Sequence, residues 1–512
     1  MKKIVILAIL DGWGIGASDD TNPIFMSQPP NINYIKSHYP AGALTASGVA
    51  VGLPWGEEGN SEVGHSIIGT GKVIYQHYPR ITLSIREGKF YQNESLKKAF
   101  DHAKENNSYV NMVGLLSDGN VHSSLEHLDS LLKFAEMEGI KNIKLHLFAD
   151  GRDSAPKTIL GLLNKVPKKL IRSIGGRFYG MDRDRHWDRT ERAYNVLTGQ
   201  GTPVPNFEEE IKKFLEENPS EEYLPPMLTG NENGGIKDNE SVIFFNYRED
   251  RVRQLVSAFV TKDFGNFTLA PLKNVYMVSM TMYSDKFNMP VAFPAEIAEN
   301  PLGKILSDAG KMQVRLAETE KYAHITYFFN GYRDTPFKNE YRILVPSRNI
   351  EHHDEHPEMM ATEITSRAIN LMNEGVFDFI LINYANPDII AHTGNFDAAM
   401  RAIKCIDENL GELTNAALAV NAALIITSDH GNVERMRNPA TGTVETEHDA
   451  NPVPIYIVDK MYERERTREN VEHSEKEAIG IISDIAPTVL EILDLPKSQE
   501  MTGRSLIRYL TR

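Results

Sequence analysis

Short apolar runs recur along this chain, and polar or charged residues follow each of them directly. The six clearest runs cover residues 4–10, 109–116, 143–149, 242–247, 377–384 and 422–428. Their length and β-branched content are typical of buried strands, and stretches with helical spacing, such as 125–135, lie between them. This alternation predicts an α/β fold with mostly parallel sheets.

The residues that come directly after these runs are types that often carry chemistry. They are Asp11-Gly12, Ser117-Asp118-Gly119, Asp150-Gly151-Arg152-Asp153, Arg248, Asn386-Pro387-Asp388 and Asp429-His430-Gly431. After any single strand, Asp and Gly are more often ordinary turn and helix-cap residues than site residues. Open α/β sheets, however, bind their ligands at the carboxyl ends of the strands. Six such cases in one chain therefore favour a functional site.

Length and charge limit what this site can serve. A chain of 512 residues is too long for one hydrophobic core, so we expect at least two domains. The charged and hydrophobic fractions, 24% and 41%, are those of an ordinary globular protein. The formal net charge of −15 gives no general attraction for nucleic acid or an anionic membrane. An anionic substrate would have to be held by local basic clusters.

The cysteine content and the N-terminal segment indicate the cellular compartment of the protein. Cys405 is the only cysteine in the sequence, so no intrachain disulfide can form, and a reducing compartment is expected. The apolar run at 4–10 ends at Asp11 and is too short for a signal peptide or a membrane span. We therefore predict a cytoplasmic protein that needs neither a membrane nor nucleic acid. Two domains in one chain suffice for the site, so we also predict a monomer.

Carboxylate and imidazole side chains with metal-binding spacing lie in the last third of the chain. Asp388 and His392 are four residues apart, which brings them to one face of a helix, and Asp429-His430 and His448 follow. A lone histidine is more often a surface or satisfied core residue than a ligand. Three such groups close together in the sequence favour a metal centre. The absence of thiolates suits Mn²⁺, Zn²⁺ or Mg²⁺, and the sequence does not choose between them.

A candidate nucleophile lies in the glycine-rich segment Gly59-Asn60-Ser61-Glu62-Val63-Gly64-His65. Small residues around Ser61 would let backbone N–H groups approach an anion. A metal ion could also generate the serine alkoxide at neutral pH. The alternative is that Ser61 caps a helix, and on local sequence the two interpretations are equally favoured and compatible.

Basic residues cluster in the middle of the chain. They are Arg177, Arg183, Arg185, Arg189, Arg248 and Arg251. Guanidinium groups bind carboxylate and phosphate oxygens with paired hydrogen bonds. Because Asp residues alternate with several of these arginines, mutual pairing on the surface is an equally good interpretation.

Five motifs, taken together, identify a family. They are Leu10-Asp11-Gly12-Trp13-Gly14, Gly59 to His65, Asn386-Pro387-Asp388 through His392-Thr393-Gly394, Ser428-Asp429-His430-Gly431-Asn432, and His448 through Asn451-Pro452-Val453-Pro454. In this order they closely resemble the motifs of the cofactor-independent phosphoglycerate mutases of the alkaline phosphatase superfamily. The strand-like residues 5–10 and the helix-like residues 484–493 extend the resemblance over nearly the whole chain.

The resemblance implies an isomerase that interconverts 3-phosphoglycerate and 2-phosphoglycerate in glycolysis and gluconeogenesis, without 2,3-bisphosphoglycerate. It implies a phosphoserine intermediate on Ser61 and two divalent metal ions, Mn²⁺ in preference to Mg²⁺, Zn²⁺ or Co²⁺. One metal would be held by Asp388, His392 and His448. The other would be held by Asp11, Ser61, Asp429 and His430.

The resemblance also assigns a substrate side. Its phosphoglycerate contacts match His122, Arg152, Asp153, Arg183, Arg189, Arg248 and Arg251. Lys321 matches a lysine that reaches the transferring phosphate. We expect Asp153 to exchange protons with the glycerate hydroxyls, because a carboxylate beside Arg152 stays ionised.

The order of these residues predicts an inserted domain. Metal residues precede and follow the substrate residues, so we expect an alkaline phosphatase-like domain at 1–77 and 311–512, and an inserted substrate-binding α/β domain at 78–310. The nearest alternatives are a phosphatase or phosphopentomutase with the same metal half, which the arginine-rich motifs disfavour. A metal-binding module in which Ser61 only caps a helix is the alternative from another class.

Overall fold

The computed structural model describes residues 3–230 and 234–511. The chain divides into two compact units, the first built from residues 1–76 and 296–512 and the second from residues 77–295. The second unit is thus an insertion in the sequence of the first. The predicted second boundary, at 310, is wrong: residues 296–310 belong to the first unit, where Leu302 and Leu306 are buried in the core.

The strands of the described residues are numbered in chain order. They are β1 (Val5–Leu10), β2 (Ala41–Thr45), β3 (Val110–Leu116), β4 (Ile143–Ala149), β5 (Ile171–Gly176), β6 (Pro203–Val204), β7 (Met227–Thr229), β8 (Ser241–Phe244), β9 (Tyr276–Thr281), β10 (Val291–Phe293), β11 (Gln313–Glu318), β12 (Glu340–Val345), β13 (Phe379–Tyr384), β14 (Ala423–Thr427), β15 (Val453–Val458) and β16 (Ala478–Ile481).

The α-helices are numbered in the same way. They are α1 (Pro23–Ser27), α2 (Pro30–His38), α3 (Ser61–Thr70), α4 (His77–Arg86), α5 (Glu94–Glu105), α6 (Leu125–Met137), α7 (Ile159–Leu163), α8 (Arg177–Gly180), α9 (Trp187–Leu197), α10 (Phe207–Glu217), α11 (Glu249–Val260), α12 (Leu302–Asp308), α13 (Ala361–Glu374), α14 (Asn386–Ala391), α15 (Phe396–Ala419), α16 (Arg468–Lys476), α17 (Ile485–Ile492) and α18 (Ile507–Leu510).

The first unit has a sheet of eight described strands in the order β12-β11-β13-β1-β14-β15-β2-β16. The strands from β12 to β14 run parallel, and β15 is antiparallel to both β14 and β2. Strand β1 is buried along its whole length. Its alternate residues enter two apolar cores, with Ile6, Ala8 and Leu10 in one and Leu7 and Ile9 in the other. A strand that packs on both faces reads as a continuous apolar run, which is why the sequence pattern located it.

The second unit has its own sheet of eight described strands, in the order β10-β9-β8-β3-β4-β5-β7-β6. Only the pair β5 and β7 is antiparallel. Its central strands β3 and β4 pair in register from Val110 with Ile143 to Leu116 with Ala149. Both ends of this register match the apolar runs of the sequence to within one residue.

The predicted α/β fold with mostly parallel sheets is therefore confirmed. The run at 242–247 is the least accurate prediction, since β8 ends at Phe244 and irregular backbone continues to Arg248. No helix among residues 3–230 and 234–511 is both long and apolar enough to cross a membrane.

Candidate active site

Three neighbouring strands of the first unit bring the predicted metal ligands to one edge of the sheet. Strand β1 lies between β13 and β14, with Leu10 opposite Tyr384 and Ile9 opposite Thr427. The next residues along these strands lead to Asp11, to helix α14 and to the Asp429-His430 pair. Residues far apart in sequence are adjacent here because parallel strands end together.

Asp388, His392 and His448 form one compact group. The Nε2 atoms of His392 and His448 lie 3.2 and 3.3 Å from Asp388 Oδ1. The same two Nε2 atoms are 3.2 Å apart. Asp388 lies in α14 and His392 follows directly after it, so the i,i+4 spacing has the predicted result. Their ligand atoms all lie within 4.8 Å of one another, which is close enough for one ion.

A second group forms around Ser61. Its Oγ donates a hydrogen bond to Asp11 Oδ1 at 3.0 Å and lies 3.0 Å from His430 Nε2. His430 Nε2 is also 3.6 Å from Asp429 Oδ2 and 3.9 Å from Asp388 Oδ1. The two groups are therefore contiguous, and Asp388 lies next to both.

The three histidines of these groups are oriented in the same way. His392 Nδ1 lies 2.7 Å from Thr446 O, His448 Nδ1 2.8 Å from Gly59 O, and His430 Nδ1 3.1 Å from Gly431 O. A carbonyl oxygen can only accept, so each neutral ring carries its proton on Nδ1. The Nε2 lone pairs are then left for a metal ion, as in metal-binding histidines whose other nitrogen is tied to the protein.

The donor set fits divalent metal ions. Asp11, Asp388 and Asp429 are all buried, and buried carboxylates need compensating positive charge. Asp429 Oδ2 is buried and accepts no hydrogen bond, although His65 Nδ1 lies 3.1 Å away. Carboxylates and imidazoles without thiolates suit Mn²⁺, Mg²⁺, Zn²⁺ or Co²⁺.

Ser61 opens helix α3 but does not cap it. The N-cap is Asn60, whose Oδ1 accepts a hydrogen bond from Val63 N at 3.0 Å. The interpretation of Ser61 as a cap is therefore wrong, and its hydroxyl is available for other contacts. A helix N-terminus carries partial positive charge, which favours an anion at this position.

Lys321 contacts Ser61 and both groups of predicted metal ligands. It ends a 3₁₀ turn after β11, and its Nζ donates to Asp11 Oδ1 at 2.6 Å, Ser61 Oγ at 2.8 Å and Asp388 Oδ2 at 2.7 Å. Burial disfavours its charge, yet the Asp11 and Asp388 carboxylates raise the pKa of Lys321. Lys321 is thus a fixed cation beside the serine.

The carboxylates and His430 respond to the same charges. Burial favours the neutral acid, but the Lys321 ammonium holds the pKa of Asp11 and of Asp388 well below the usual value. Burial also opposes protonation of His430, but Asp429, Asp11 and Asp388 raise the pKa of His430 to about 10. A proton therefore competes with a metal ion for His430.

Three supporting residues were not predicted. His65 lies 2.9 Å from Ser61 O through Nδ1 and from Asn383 Nδ2 through Nε2. Asn383 Nδ2 also donates to Asp11 Oδ2 at 2.8 Å, and Asn432 Nδ2 donates to Asp388 Oδ1 at 2.9 Å. His65 and Asn432 belong to motifs quoted above, but nothing in their spacing indicates these partners.

The second unit carries a cluster that is rich in arginine, and its residues follow the strands β3, β4, β5 and β8. At its buried centre, Arg177 Nη1 lies 2.6 Å from Asp150 Oδ1 and 2.8 Å from Asp153 Oδ1, while Asp153 Oδ2 lies 2.6 Å from His122 Nδ1. Burial disfavours the carboxylate, but the bonds to His122 and Arg177 lower the pKa of Asp153 to about 2. Asp153 is therefore ionised, as predicted, although Arg177 rather than Arg152 is its cation.

Three of the predicted arginines surround this centre. Asp250 pairs with Arg183 at 2.7 Å and with Arg248 at 3.4 Å, and its Oδ1 lies 3.4 Å from His122 Nε2. Burial and the neighbouring guanidinium groups of Arg183, Arg177 and Arg152 lower the pKa of Arg251. An anion would relieve this repulsion.

The other two predicted arginines are differently placed. The Arg152 side chain is 59% exposed and lies 3.8 Å from Glu222. Arg189 binds Asp182 at 3.1 Å and stacks on the Phe178 ring at 3.9 Å, so mutual pairing of Asp and Arg describes this residue well. Arg177 and Asp150 were not predicted as site residues, because their contact with each other and with Asp153 depends on burial in the folded chain. Their local sequence does not indicate this burial.

Known proteins with similar sequences show the family of this chain. The model of the Metalloenzyme superfamily matches residues 2–497. The 2,3-bisphosphoglycerate-independent phosphoglycerate mutase of Clostridioides difficile (strain 630) is 42% identical, over 99% of each chain. That of Methanosarcina barkeri, named phosphoglycerate mutase 1, is 42% identical over 99% of this chain and 98% of its own.

A solved structure is similar over the whole chain. It is the phosphoglycerate mutase of Leishmania mexicana, determined at low cobalt concentration, with 29% identity and a TM-score of 0.54. The match covers 98% of this chain and 97% of that one. Both units of the chain therefore have counterparts in that structure.

Proposed function

This chain belongs to the Metalloenzyme superfamily and, within it, to the 2,3-bisphosphoglycerate-independent phosphoglycerate mutases, and we propose that it interconverts 3-phosphoglycerate and 2-phosphoglycerate through a phosphoserine on Ser61. The observation that carries the proposal is the environment of the Ser61 hydroxyl. Its Oγ lies within 3.0 Å of Lys321 Nζ, Asp11 Oδ1 and His430 Nε2.

We propose two metal sites from the two groups of ligand atoms. Asp388, His392 and His448 would hold one ion, and Asp11, Ser61, Asp429 and His430 would hold the other. Bound there, divalent ions would lower the pKa of the serine hydroxyl and neutralise phosphate charge. Mn²⁺ is our preferred ion, and the cobalt named for the Leishmania mexicana structure supports a divalent transition metal.

In the first half-reaction, Ser61 Oγ forms a bond to phosphorus while the bond from phosphorus to the glycerate oxygen breaks. The serine hydroxyl loses its proton and the departing glycerate oxygen gains one, so the number of bound protons does not change. Lys321 stays protonated, because two carboxylates stabilise its charge, and stabilises the charge on the equatorial phosphate oxygens.

The second half-reaction requires that glycerate is retained and turned. The proposed carboxylate and hydroxyl contacts are those predicted from the sequence: His122, Arg152, Asp153, Arg183, Arg189, Arg248 and Arg251. The ionised Asp153, bound to His122, is suited to exchange a proton with the glycerate hydroxyls. The other hydroxyl then takes the phosphoryl group from Ser61. We propose that the enzyme works in this way as a cytoplasmic monomer.

The test is to detect the phosphoserine. The protein is incubated with 3-phosphoglycerate and Mn²⁺, quenched in acid and mapped by peptide mass spectrometry. We expect phosphate on Ser61, and none anywhere in Ser61→Ala. Ser66→Ala, a buried serine on the same helix, is the matched control and should still be labelled at Ser61. An active wild type without label at Ser61 would contradict the mechanism.

A further inference from the structure

A buried carboxylate next to the metal ligands has no role in the chemistry above. Glu434 is fully buried and lies five residues after Asp429. Its Oε2 accepts hydrogen bonds from Gly14 N at 2.9 Å and Asn432 N at 2.8 Å. Its Oε1 accepts one from Asn451 Nδ2 at 3.2 Å. No metal-ligand group of the described residues includes Glu434.

Its three donors belong to three different loops, which we call the ligand loops. The first ligand loop, 11–16, carries Asp11. The second, 428–434, carries Asp429 and His430, and the third, 448–452, carries His448. A single side chain thus ties together the segments that carry four of the predicted ligands.

The backbone joins the same three loops. Val433 N donates to Gly12 O at 3.0 Å, and Asp449 N donates to Gly431 O at 2.9 Å. Ile15 N donates to Pro452 O at 2.7 Å. Glu434 lies among these backbone hydrogen bonds, and its carboxylate adds further hydrogen bonds to the same three loops.

Glycines in the ligand loops leave room for this side chain. A Cβ on Gly14 would lie 2.2 Å from Glu434 Cδ and Oε1, and a Cβ on Gly431 would lie 2.3 Å from Glu434 Oε1. Neither glycine is in the left-handed region that would by itself require glycine. Their need for glycine therefore comes from the space that the Glu434 carboxylate occupies.

We propose that Glu434 is a positioning residue that sets the spacing of the three ligand loops for metal binding. This inference rests on the proposed metal sites. Removing the carboxylate would leave the buried N–H groups of Gly14 and Asn432 and the half-buried amide of Asn451 without their acceptor, and would let the loops move apart. Hydrogen-bond partners of metal ligands typically change metal affinity about 10- to 100-fold, and we expect an effect of this size here because Glu434 joins the loops that carry the proposed ligands.

A purely structural carboxylate of the same kind provides the control. Asp407 is 1% exposed and accepts from Asn31 N at 3.1 Å, Asn31 Nδ2 at 2.9 Å and Ile32 N at 2.8 Å. It therefore has two backbone donors and one asparagine amide, as Glu434 does. It ties helix α2 to α15 and contacts none of the ligand loops.

The experiment is a calorimetric Mn²⁺ titration of the chelator-treated full chain. We expect Glu434→Ala to weaken Mn²⁺ binding about 10- to 100-fold. Glu434→Gln, which keeps one acceptor, should weaken it less, and Asp407→Ala should lower the melting temperature but leave Mn²⁺ affinity unchanged. Equal affinity in Glu434→Ala and the wild type, or equal losses in Glu434→Ala and Asp407→Ala, would overturn the inference. If Glu434→Ala does not fold, Glu434→Gln against Asp407→Asn decides in the same way.

A double-mutant cycle tests the packing argument. Gly14→Ala should weaken Mn²⁺ binding in the wild type, because its Cβ displaces the carboxylate. In the Glu434→Ala background the same change should have little effect. Independent, additive effects would contradict the proposed role. A wild type that binds no Mn²⁺ would instead contradict the proposed function, which keeps the two failures apart.

Discussion

The predicted metal ligands around Ser61 form a first cluster, in the first unit, and the arginines around Asp153 form a second cluster, in the second unit. Both clusters lie where parallel strands end. They differ in charge and burial. Asp11, Asp429 and His430 are fully buried, and the backbone fixes the orientation of each imidazole. Arg152, Arg183 and Arg248 are each about half exposed or more, and they pair with carboxylates.

This difference in burial indicates that the two clusters serve different steps of the proposed reaction. The groups around Ser61 are held rigidly, which suits a reaction whose charge develops at a fixed place. The more exposed arginines pair with Asp250 and Glu222, and we expect a substrate anion to take the place of these carboxylates. We therefore expect changes in the first cluster to stop the chemistry, and changes in the second cluster to alter the fate of the substrate.

The largest effect should follow from removal of Ser61, the proposed nucleophile. Ser61→Ala should lower both mutase activity and hydrolysis of a simple phosphate ester by on the order of 10⁴-fold or more, because both reactions need the same acceptor oxygen. Initial rates on 3-phosphoglycerate and p-nitrophenyl phosphate measure this. If the ester hydrolysis survives, water rather than serine attacks phosphorus, and the first cluster has been misinterpreted.

Loss of the fixed cation should come next. Lys321→Met should reduce kcat by about 10²- to 10³-fold, since the proposed stabilisation of the phosphoryl group by its charge is lost. Lys144→Met is the matched control: both lysine side chains are 5% exposed and paired with carboxylates, but Lys144 pairs with Glu240 in the second unit. The control should lose stability and keep kcat. Equal losses of kcat in the two variants would mean that Lys321 acts only through folding.

The arginine cluster should respond differently. Arg183→Ala should lower mutase activity about 10²-fold while ester hydrolysis changes little, because the variant keeps Ser61 but no longer retains glycerate. Phosphoglycerate should then release inorganic phosphate, which a phosphate assay detects. Arg192→Ala, where the guanidinium stacks on Tyr179, is the control. Parallel loss of both activities in a folded, metal-loaded Arg183→Ala would remove the division of labour between the two clusters.

The smallest effect concerns pH. His430 has its pKa raised to about 10, so at every pH below that value a proton must leave before a metal binds. Apparent metal affinity should fall as pH falls, by about tenfold per unit for one displaced proton. Activity at limiting Mn²⁺ should fall with it, and excess Mn²⁺ should move the fall to lower pH.

The second cluster gives the contrast for that experiment. Asp153 has its pKa lowered to about 2, so it stays ionised over the same range and adds no dependence of its own. A pH profile that does not move with Mn²⁺ concentration would show that the loss of activity at low pH comes from a group other than the proposed histidine ligands.

Much of this arrangement could be predicted from the sequence. The apolar runs located β1, β3, β4, β13 and β14 to within two residues, because strands buried on both faces contain almost only apolar residues. Helical spacing placed Asp388 and His392 together, and short motifs indicated the candidate ligands. These signals are local, and a local pattern can be read along one segment of chain.

Other features exist only in the folded chain. Arg177 resembles its neighbouring arginines in sequence, yet burial makes it the cation shared by Asp150 and Asp153. Glu434 accepts a hydrogen bond from Gly14 N, 420 residues earlier in the chain, and Asn383 donates one to Asp11, 372 residues earlier. Sequence spacing sets which residues share one helix or one strand end. Only the packing of separate strands sets which distant polar groups are buried together, since their partners and their desolvation are decided by tertiary contacts.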